Sequence, residues 1–531
     1  SRVSVAERVY SRIRDSQAAA AVPAWVPAQA MGAAGVPLFT RASGKLLTEG
    51  VPGFYTLKGF QLVLLPALTH AAKDVADESW VLGPGQQVDP SSPDMQNLEQ
   101  NVIKLYEADY EAQWNAMLGD LNLKPATNIG QAVQTLYILG SPQSPMQRLL
   151  ASITTQLQLS KGVEPPKPAA TSKIPGAAAL NADAAALQGL MGAATASGGP
   201  ALGSEVDNYY APLINYVGGG AGSPMSLTLN LINGLQQQLA ALAAAAPGTA
   251  PAAPAAGGDP ASLLQGEAAT DPQPVARWLQ ALVVNANGLR GGSAAKAAAA
   301  AFNGAAGPGQ LCQQAVAGRY PFVPASSSDI PLGDFAHLFA PNGLLDSFFT
   351  QQVQPFVDMS GRTWRVQAVN GVPPPISQGA LAEFQRAETI KQLFFAAGAT
   401  PAVQFSLTPT ALDAGAAQAV LQLGAVNVAY AHGPQVPTMI SWPGADGMQT
   451  ARLIITPVGG GNPVELDAAG PWALFHLFSQ GTLAQAGSSD QYTLTFSAGG
   501  HSVSYSIGAN SVLNPFAPGM LADFRCPSLQ G

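Results

Sequence analysis

The chain has 531 residues, of which 47% are hydrophobic and 11% charged, and it carries a net charge of −8. That length exceeds one compact core and predicts three or more domains, while 56 Gly and 44 Pro predict long connectors. An acidic chain with no basic cluster excludes nucleic acid and anionic lipid as partners, and the best apolar run, Phe60–Leu68, is too short to cross a bilayer and is broken by Pro66.

In chain order, Val5, Val9 and Ile13 mark one helical stripe in residues 1–16. The chain opens on Ser1 rather than Met, and Arg2 and Arg8 lead into no apolar signal region, which we read as a fragment of a longer protein. Residues 17–52 are Ala-, Pro- and Gly-rich and predicted irregular. A helix is expected from about Leu57 to Asp77, kinked or broken at Pro66. Val102 to Leu121 gives the clearest helix. Val102, Tyr106, Tyr110, Trp114, Met117 and Leu121 share its core face, and Lys104, Glu107, Glu111 and Asn115 its polar face. Ser144-Pro145-Met146-Gln147 reads as a capping box opening a further helix.

Residues 161–205 break the pattern and read as a linker, with an Ala-rich helix at Gly176–Gly192. Helix returns at 206–245, followed by a second low-complexity linker near 246–258. Asp271-Pro272 starts a helix through Val275, Trp278, Leu279 and Leu282, and Ser293–Phe302 forms a separate Ala-rich one. Ser377–Phe395 is helical, with Leu381, Phe384, Ile390 and Phe394 inward. From Ala402 the period changes to two. Strands are predicted around Val403–Leu407, Val420–Leu423, Asn427–His432, Thr438–Trp442, Thr450–Thr456, Gln491–Ala498 and Ser502–Ile507, with one helix at Gly470–Phe478 capping the sandwich end. The fold class is therefore α+β multidomain: mostly helical N-terminal domains followed by a C-terminal antiparallel β-sandwich. The expected division is a helical domain at 1–160, the linker 161–205, a helical domain at 206–311, an aromatic-rich junction and helical domain at 312–400, the sandwich at 401–516 and a tail at 517–531.

No catalytic, cofactor or metal motif emerges. Gly218–Gly222 lacks the Gly-Lys-Ser/Thr of a phosphate loop and reads as a flexible loop. No GxSxG elbow is present, and His70, His337, His432, His476 and His501 are scattered without ligand spacing. Asp329, Asp334 and Asp346 recur in the central stretch; helix capping accounts for Asp329 and Asp334 more simply than a paired-carboxylate site. We therefore expect no enzyme and no cofactor. Cys312 and Cys526 have no metal spacing. They either pair, contributing about 2–4 kcal/mol, or lie as two separate buried thiols.

Gly318–Trp364 concentrates the aromatics. Arg319, Tyr320, Pro321, Phe322, Phe335, Phe339, Phe348, Phe349 and Trp364 are expected to form a structural junction that packs the helical half on the sandwich half.

The segments LCQQAVAGRYPF (Leu311–Phe322), DIPLGDFAHLFAPNGLLDSFF (Asp329–Phe349), PFVDMSGRTW (Pro355–Trp364), FQRAETIKQLFF (Phe384–Phe395), NPF (Asn514–Phe516) and FRCP (Phe524–Pro527) resemble the C-terminal periplasmic region of the TssM/IcmF family. GFYTLKGF (Gly53–Phe60), DESWVLG (Asp77–Gly83) and SPMQRLL (Ser144–Leu150) extend the resemblance over essentially the whole chain. That family is the large inner-membrane component of the type VI secretion core complex. The resemblance implies a structural scaffold in the periplasm, anchored in the inner membrane only through segments absent from this chain. Its implied partners are a TssJ-like outer-membrane lipoprotein, a TssL-like inner-membrane protein and other copies of itself, assembled into a trans-envelope channel. It implies no nucleic-acid partner. A periplasmic setting favours the Cys312–Cys526 bond. The alternative reading is a secreted or periplasmic glycan-binding module on a helical stalk.

Overall fold

The computed structural model describes residues 3–81, 97–161, 200–245, 257–488, 490–509 and 513–530. The linkers expected at 161–205 and 246–258 fall mostly outside the described residues, as do the helix expected at Gly176–Gly192 and the end of DESWVLG. The chain divides into two compact units. One is Ser1–Ala244 with Ala253–Leu289; the other is Arg290–Gly531 with Ala245–Ala252.

Among its described residues, the first unit is mostly helical, with irregular chain and a short strand over residues 32–52. Val5–Arg14 starts with a full capping box, Ser4 accepting from the Glu7 N–H while Glu7 accepts from Ser4. The helix expected near Pro66 runs as Leu57–Gly59, a π-turn at Phe60–Leu64 and then Leu65–Val81. The wider turn lies just ahead of Pro66, which has no N–H to donate and whose ring crowds the preceding turn. Ser144 caps Pro145–Gln156 by accepting from the Gln147 N–H. Its own N–H donates to the Ser141 carbonyl, so the reciprocal half of the expected capping box is replaced by a backbone turn.

The helix Leu98–Asp120 lies at the centre, its Tyr106, Tyr110 and Trp114 fully buried. Each polar end is satisfied, as burial demands: Tyr106 donates to the Phe54 carbonyl, Tyr110 to Gln156 and Trp114 Nε1 to Tyr55. A two-stranded sheet pairs β1 (Phe39–Arg41) with β2 (Leu121–Leu123), and Trp278 Nε1 donates to the Leu121 carbonyl at 2.7 Å.

Three expectations fail here. Residues 1–160 and 206–311 were set apart as separate domains, yet helices on both sides of the insert share one core that includes Tyr106, Leu213, Leu235 and Trp278. The low-complexity insert interrupts the sequence without ending the packing. In consequence Glu107, assigned to a polar face, is buried: the helix Ser204–Tyr209 packs against Leu98–Asp120 and brings Glu205 and Asp207 toward it. Pro260–Thr270 is an additional helix, capped by Asp259. Val275–Asn303 is a single helix rather than two, and the boundary between the units falls within it, after Leu289. Glycine costs a helix only about 1 kcal/mol per residue, and Gly291 has a packing reason, since a Cβ there would lie 2.7 Å from Pro373.

In the second unit, helices Pro308–Ala315, Leu332–Phe339, Leu344–Phe348 and Gln378–Phe394 precede the sandwich. A small hairpin pairs β3 (Val357–Asp358) with β4 (Arg365–Val366). The sandwich strands are β5 (Val403–Leu412), β6 (Ala416–Leu423), β7 (Val426–Tyr430), β8 (Thr438–Trp442), β9 (Thr450–Pro457), β10 (Val464–Ala469), β11 (Thr482–Gln485), β12 (Gln491–Ala498) and β13 (His501–Ala509). They form two antiparallel sheets, ordered β10-β9-β6-β7 and β11-β12-β13-β5-β8. Inward residues alternate along each strand: Phe405 and Leu407 from β5, Leu421 and Leu423 from β6, Leu453 and Ile455 from β9, all at most 1% exposed. The α+β class is as expected. The strands β10 and β11 were missed, because VELDAA carries residues that strands disfavour and TLAQ is too short to show a period.

Candidate interaction unit

The stretch from Arg319 to Trp364 builds two aromatic clusters rather than one. In the first, Phe322, Phe335 and Phe339 pack together; Phe335 meets Phe394 at 5.3 Å and Trp472 at 5.2 Å between ring centroids. Trp472 precedes the helix Ala473–Ser479 and packs at a tilt on Trp442 of β8, 4.9 Å between ring centroids. This cluster is therefore where the helical part meets the sandwich. In the second, Phe348 and Phe349 pack on Phe384, Phe348 also on Phe302, and Phe349 stacks on the half-buried Trp364 at 5.2 Å. Its ring contacts stay among the helices and the β3–β4 hairpin and do not reach the sandwich. Tyr320, Phe322, Phe335, Phe339, Phe348 and Phe349 are all at most 8% exposed, and Pro321 is buried beside them. Arg319 is half-buried; its guanidinium donates to the carbonyls of Gln314 and Asp329 and to Ser328 Oγ, closing the loop that follows.

The segment after the sandwich returns to the helical part. Phe524 lies 5.0 Å from Phe339 and 5.7 Å from Phe322, and Leu521 and Leu529 are buried. Cys526 is disulfide-bonded to Cys312, which is fully buried on Pro308–Ala315. The Asn303 amide donates to the Leu529 carbonyl, and the Arg525 N–H to Glu383.

Asp329 and Asp334 are not side-chain caps. Leu332–Phe339 is capped by Pro331, and no side chain accepts from its first N–H groups. Asp334 sits in the first turn, where a negative charge suits the helix dipole. Asp329 instead contacts His476 Nε2 at 2.7 Å, and the Tyr320 ring stacks on that imidazole at 3.6 Å. Burial pushes the Tyr320 phenol up, and the Asp329 charge adds to the effect. Asp346 accepts from the Asn342 N–H and pairs with Lys391 at 2.8 Å. In the sandwich, His501 pairs with Asp413 and His432 Nε2 contacts the Ala416 carbonyl. Sequence spacing carried no signal for the Asp329–His476 contact, whose members are 147 residues apart.

Ser479 Oγ donates to the His476 carbonyl at 2.7 Å, one turn back on its own helix. Among the described residues, no group of three or more His, Cys, Asp and Glu is placed to hold a metal ion. A cleft of about 160 Å³ in the first unit is lined by Leu123, Ala132, Leu136, Leu139, Leu282 and Ala286 among others, smaller than the roughly 300 Å³ where ligand pockets begin. What the second unit does offer is surface. Among the described residues, the edge strands of the sandwich are β10, β7, β11 and β8; Pro437 and Pro443 flank β8, on which Met439 is 57% exposed.

Comparison with known proteins gives three family matches. Residues 1–158 match the IcmF-related family (intracellular multiplication and human macrophage-killing), residues 309–400 the type VI secretion protein IcmF helical domain, and residues 405–511 the type VI secretion protein IcmF C2-like domain. The chain is 34% identical over 539 residues to the type VI secretion system component TssM1 of Pseudomonas aeruginosa, an alignment covering 98% of this chain. It spans about half, 48%, of that relative's length. Two solved structures share the fold across 99% of the chain: a type VI secretion system membrane core complex, at TM-score 0.62 and 17% identity, and a type VI membrane complex, at 0.59 and 15%. The first match covers 99% of the solved chain and the second 98%.

Proposed function

This chain belongs to the TssM/IcmF family of type VI secretion proteins, and from that premise we propose that it is a non-enzymatic structural scaffold of the secretion membrane core complex. In this reading it lies in the periplasm, with its inner-membrane anchor in a part of the protein outside this chain. It links the inner membrane to a TssJ-like outer-membrane lipoprotein, meets a TssL-like inner-membrane partner, and assembles with other copies of itself into the trans-envelope channel. The observation that carries the reading is the build of the second unit. A helical part and a sandwich are locked by aromatic packing, an Asp–His contact and a disulfide, and the unit presents strand edges. Such a body suits transmission of position between partners, and a free strand edge suits docking by strand addition. Among the described residues, no helix is long and apolar enough to cross a membrane.

The test is binding of the purified chain to the soluble part of a TssJ-like lipoprotein, followed by calorimetry. A stoichiometric complex that survives removal of residues 1–289, with the remainder folded by circular dichroism, is expected. A folded chain that shows no association at any concentration tested would end the scaffold-to-lipoprotein reading.

A further inference from the structure

The β3–β4 hairpin projects a tip whose presence packing does not explain. Residues 358–363 are all exposed, with Met359 at 41%. Yet the backbone beneath is held firmly. Gln385 accepts from the Trp364 N–H at 3.0 Å and donates to the Arg362 carbonyl at 2.8 Å. Gln378 accepts from the Val366 N–H at 3.0 Å and donates to the Trp364 carbonyl at 2.7 Å. These glutamines lie two turns apart on one face of Gln378–Phe394 and act as a third strand for the hairpin. Asp358 Oδ1 accepts from both the N–H and the hydroxyl of Ser360, fixing the turn. Trp364 anchors the hairpin's return on Phe349. A rigid tip loses little entropy when it docks, and exposed Met and Arg are residue types that interfaces favour. Arg362 makes no ion pair among the described residues, and Arg365 stands across the hairpin from Asp358.

The sandwich supplies the opposite charge. From Val403 to Ala509 it has one basic side chain of the Lys/Arg type, Arg452, and five carboxylates: Asp413, Asp446, Glu465, Asp467 and Asp490. Asp413 pairs with His501, and Asp446 accepts the N–H groups of Ala425 and Met448. Glu465 and Asp467, on the edge strand β10, share Arg452 of the neighbouring β9. Arg452 sits 2.5 Å from Asp467 and 4.0 Å from Glu465, whose side chain is 45% exposed. That edge carries two carboxylates for one guanidinium, and its Asp467 carbonyl accepts from Gln480 Nε2 at 3.1 Å.

We propose that the hairpin tip, through Met359 and Arg362, docks on the acidic β10 edge of a second copy of this chain. The proposal rests on the self-assembly reading above and names the surfaces that make it. The hairpin and β10 are different patches, so the contact is head-to-tail and propagates into a ring or a filament rather than closing a two-fold dimer.

Sedimentation velocity on the whole chain at low and high salt tests it. The wild type is expected to self-associate with concentration, more weakly as salt rises. Arg362→Glu and Met359→Ala are each expected to weaken association about tenfold or more, with unchanged circular dichroism and melting temperature because both side chains are exposed. Adding Glu465→Arg to Arg362→Glu should restore it. Association by Arg362→Glu equal to wild type, or failure of the double reversal, overturns the docking and leaves self-assembly standing. A wild-type chain that stays single overturns both. A single wild-type chain whose capture of the lipoprotein is lost in Arg362→Glu reassigns the hairpin to that partner and likewise overturns self-docking.

Discussion

His476 Nε2 lies 2.7 Å from Asp329 Oδ1, with the Tyr320 ring stacked on the other side of the imidazole. The contact ties the loop ahead of Leu332–Phe339 to the helix Ala473–Ser479, and so joins the helical part of the second unit to its sandwich. Replacing either partner leaves the other part-buried without its hydrogen bond, which costs about 1–3 kcal/mol. Asp329→Ala and His476→Ala should each lower the urea midpoint. The double variant should lose less than the sum, since partners in contact couple by about 0.5–3 kcal/mol. Strictly additive losses would show that the two do not act as a pair.

Phe335 is fully buried, with Phe394, Phe395 and Trp472 around its ring. Phe335→Ala should cost about 3–5 kcal/mol, read by chemical denaturation. Phe349→Ala, in the cluster whose ring contacts do not reach the sandwich, should also destabilise but leave the fluorine NMR signals of Trp442 and Trp472, labelled with fluorotryptophan, nearer to wild type. Equal spectral change in both variants would contradict the division into two clusters.

The Cys312–Cys526 bond closes a loop of 214 residues. Cys526→Ser should cost about 2–4 kcal/mol. Wild type treated with a reductant under denaturing conditions should fall to the same stability, and the reductant should leave the variant unchanged. A variant as stable as the oxidised wild type would refute this.

Burial raises the Glu107 carboxyl to about 7, with Glu205, Glu111 and Asp207 adding repulsion. The ordinary value is 4.5. Between the two, the folded chain keeps a proton that the unfolded chain has lost, so stability falls as pH rises through this window and levels above it. Glu107→Gln should flatten the fall and be more stable than wild type above neutral pH. Matching pH profiles for the two proteins would remove Glu107 as the cause.

What the sequence made legible was whatever repeats along one element. The Tyr106-Tyr110-Trp114 stripe and the alternation of Val403, Phe405 and Leu407 are local periodicities, and each set occupies the core face it predicts. What it hid depends on a second element arriving from far away. Glu107 reads as solvent-facing until the helix Ser204–Tyr209 packs nearby, on the far side of a low-complexity insert. Asp329 reads as a cap because its partner is 147 residues distant. β10 was illegible for a different reason: its Glu465 and Asp467 suit an exposed sheet edge, and strand propensity mostly records what suits a half-buried surface.

The returning C-terminal segment gives the sandwich a second attachment. The chain enters it at Val403 from the helix Gln378–Phe394 and leaves after Ala509 to be bonded back at Cys312. A body hung from one thread can swivel; one pinned at two separate points cannot turn without straining a covalent path. A pull on the sandwich therefore divides between two routes into the helices, and neither hydrogen-bonded edge needs to peel for the load to pass.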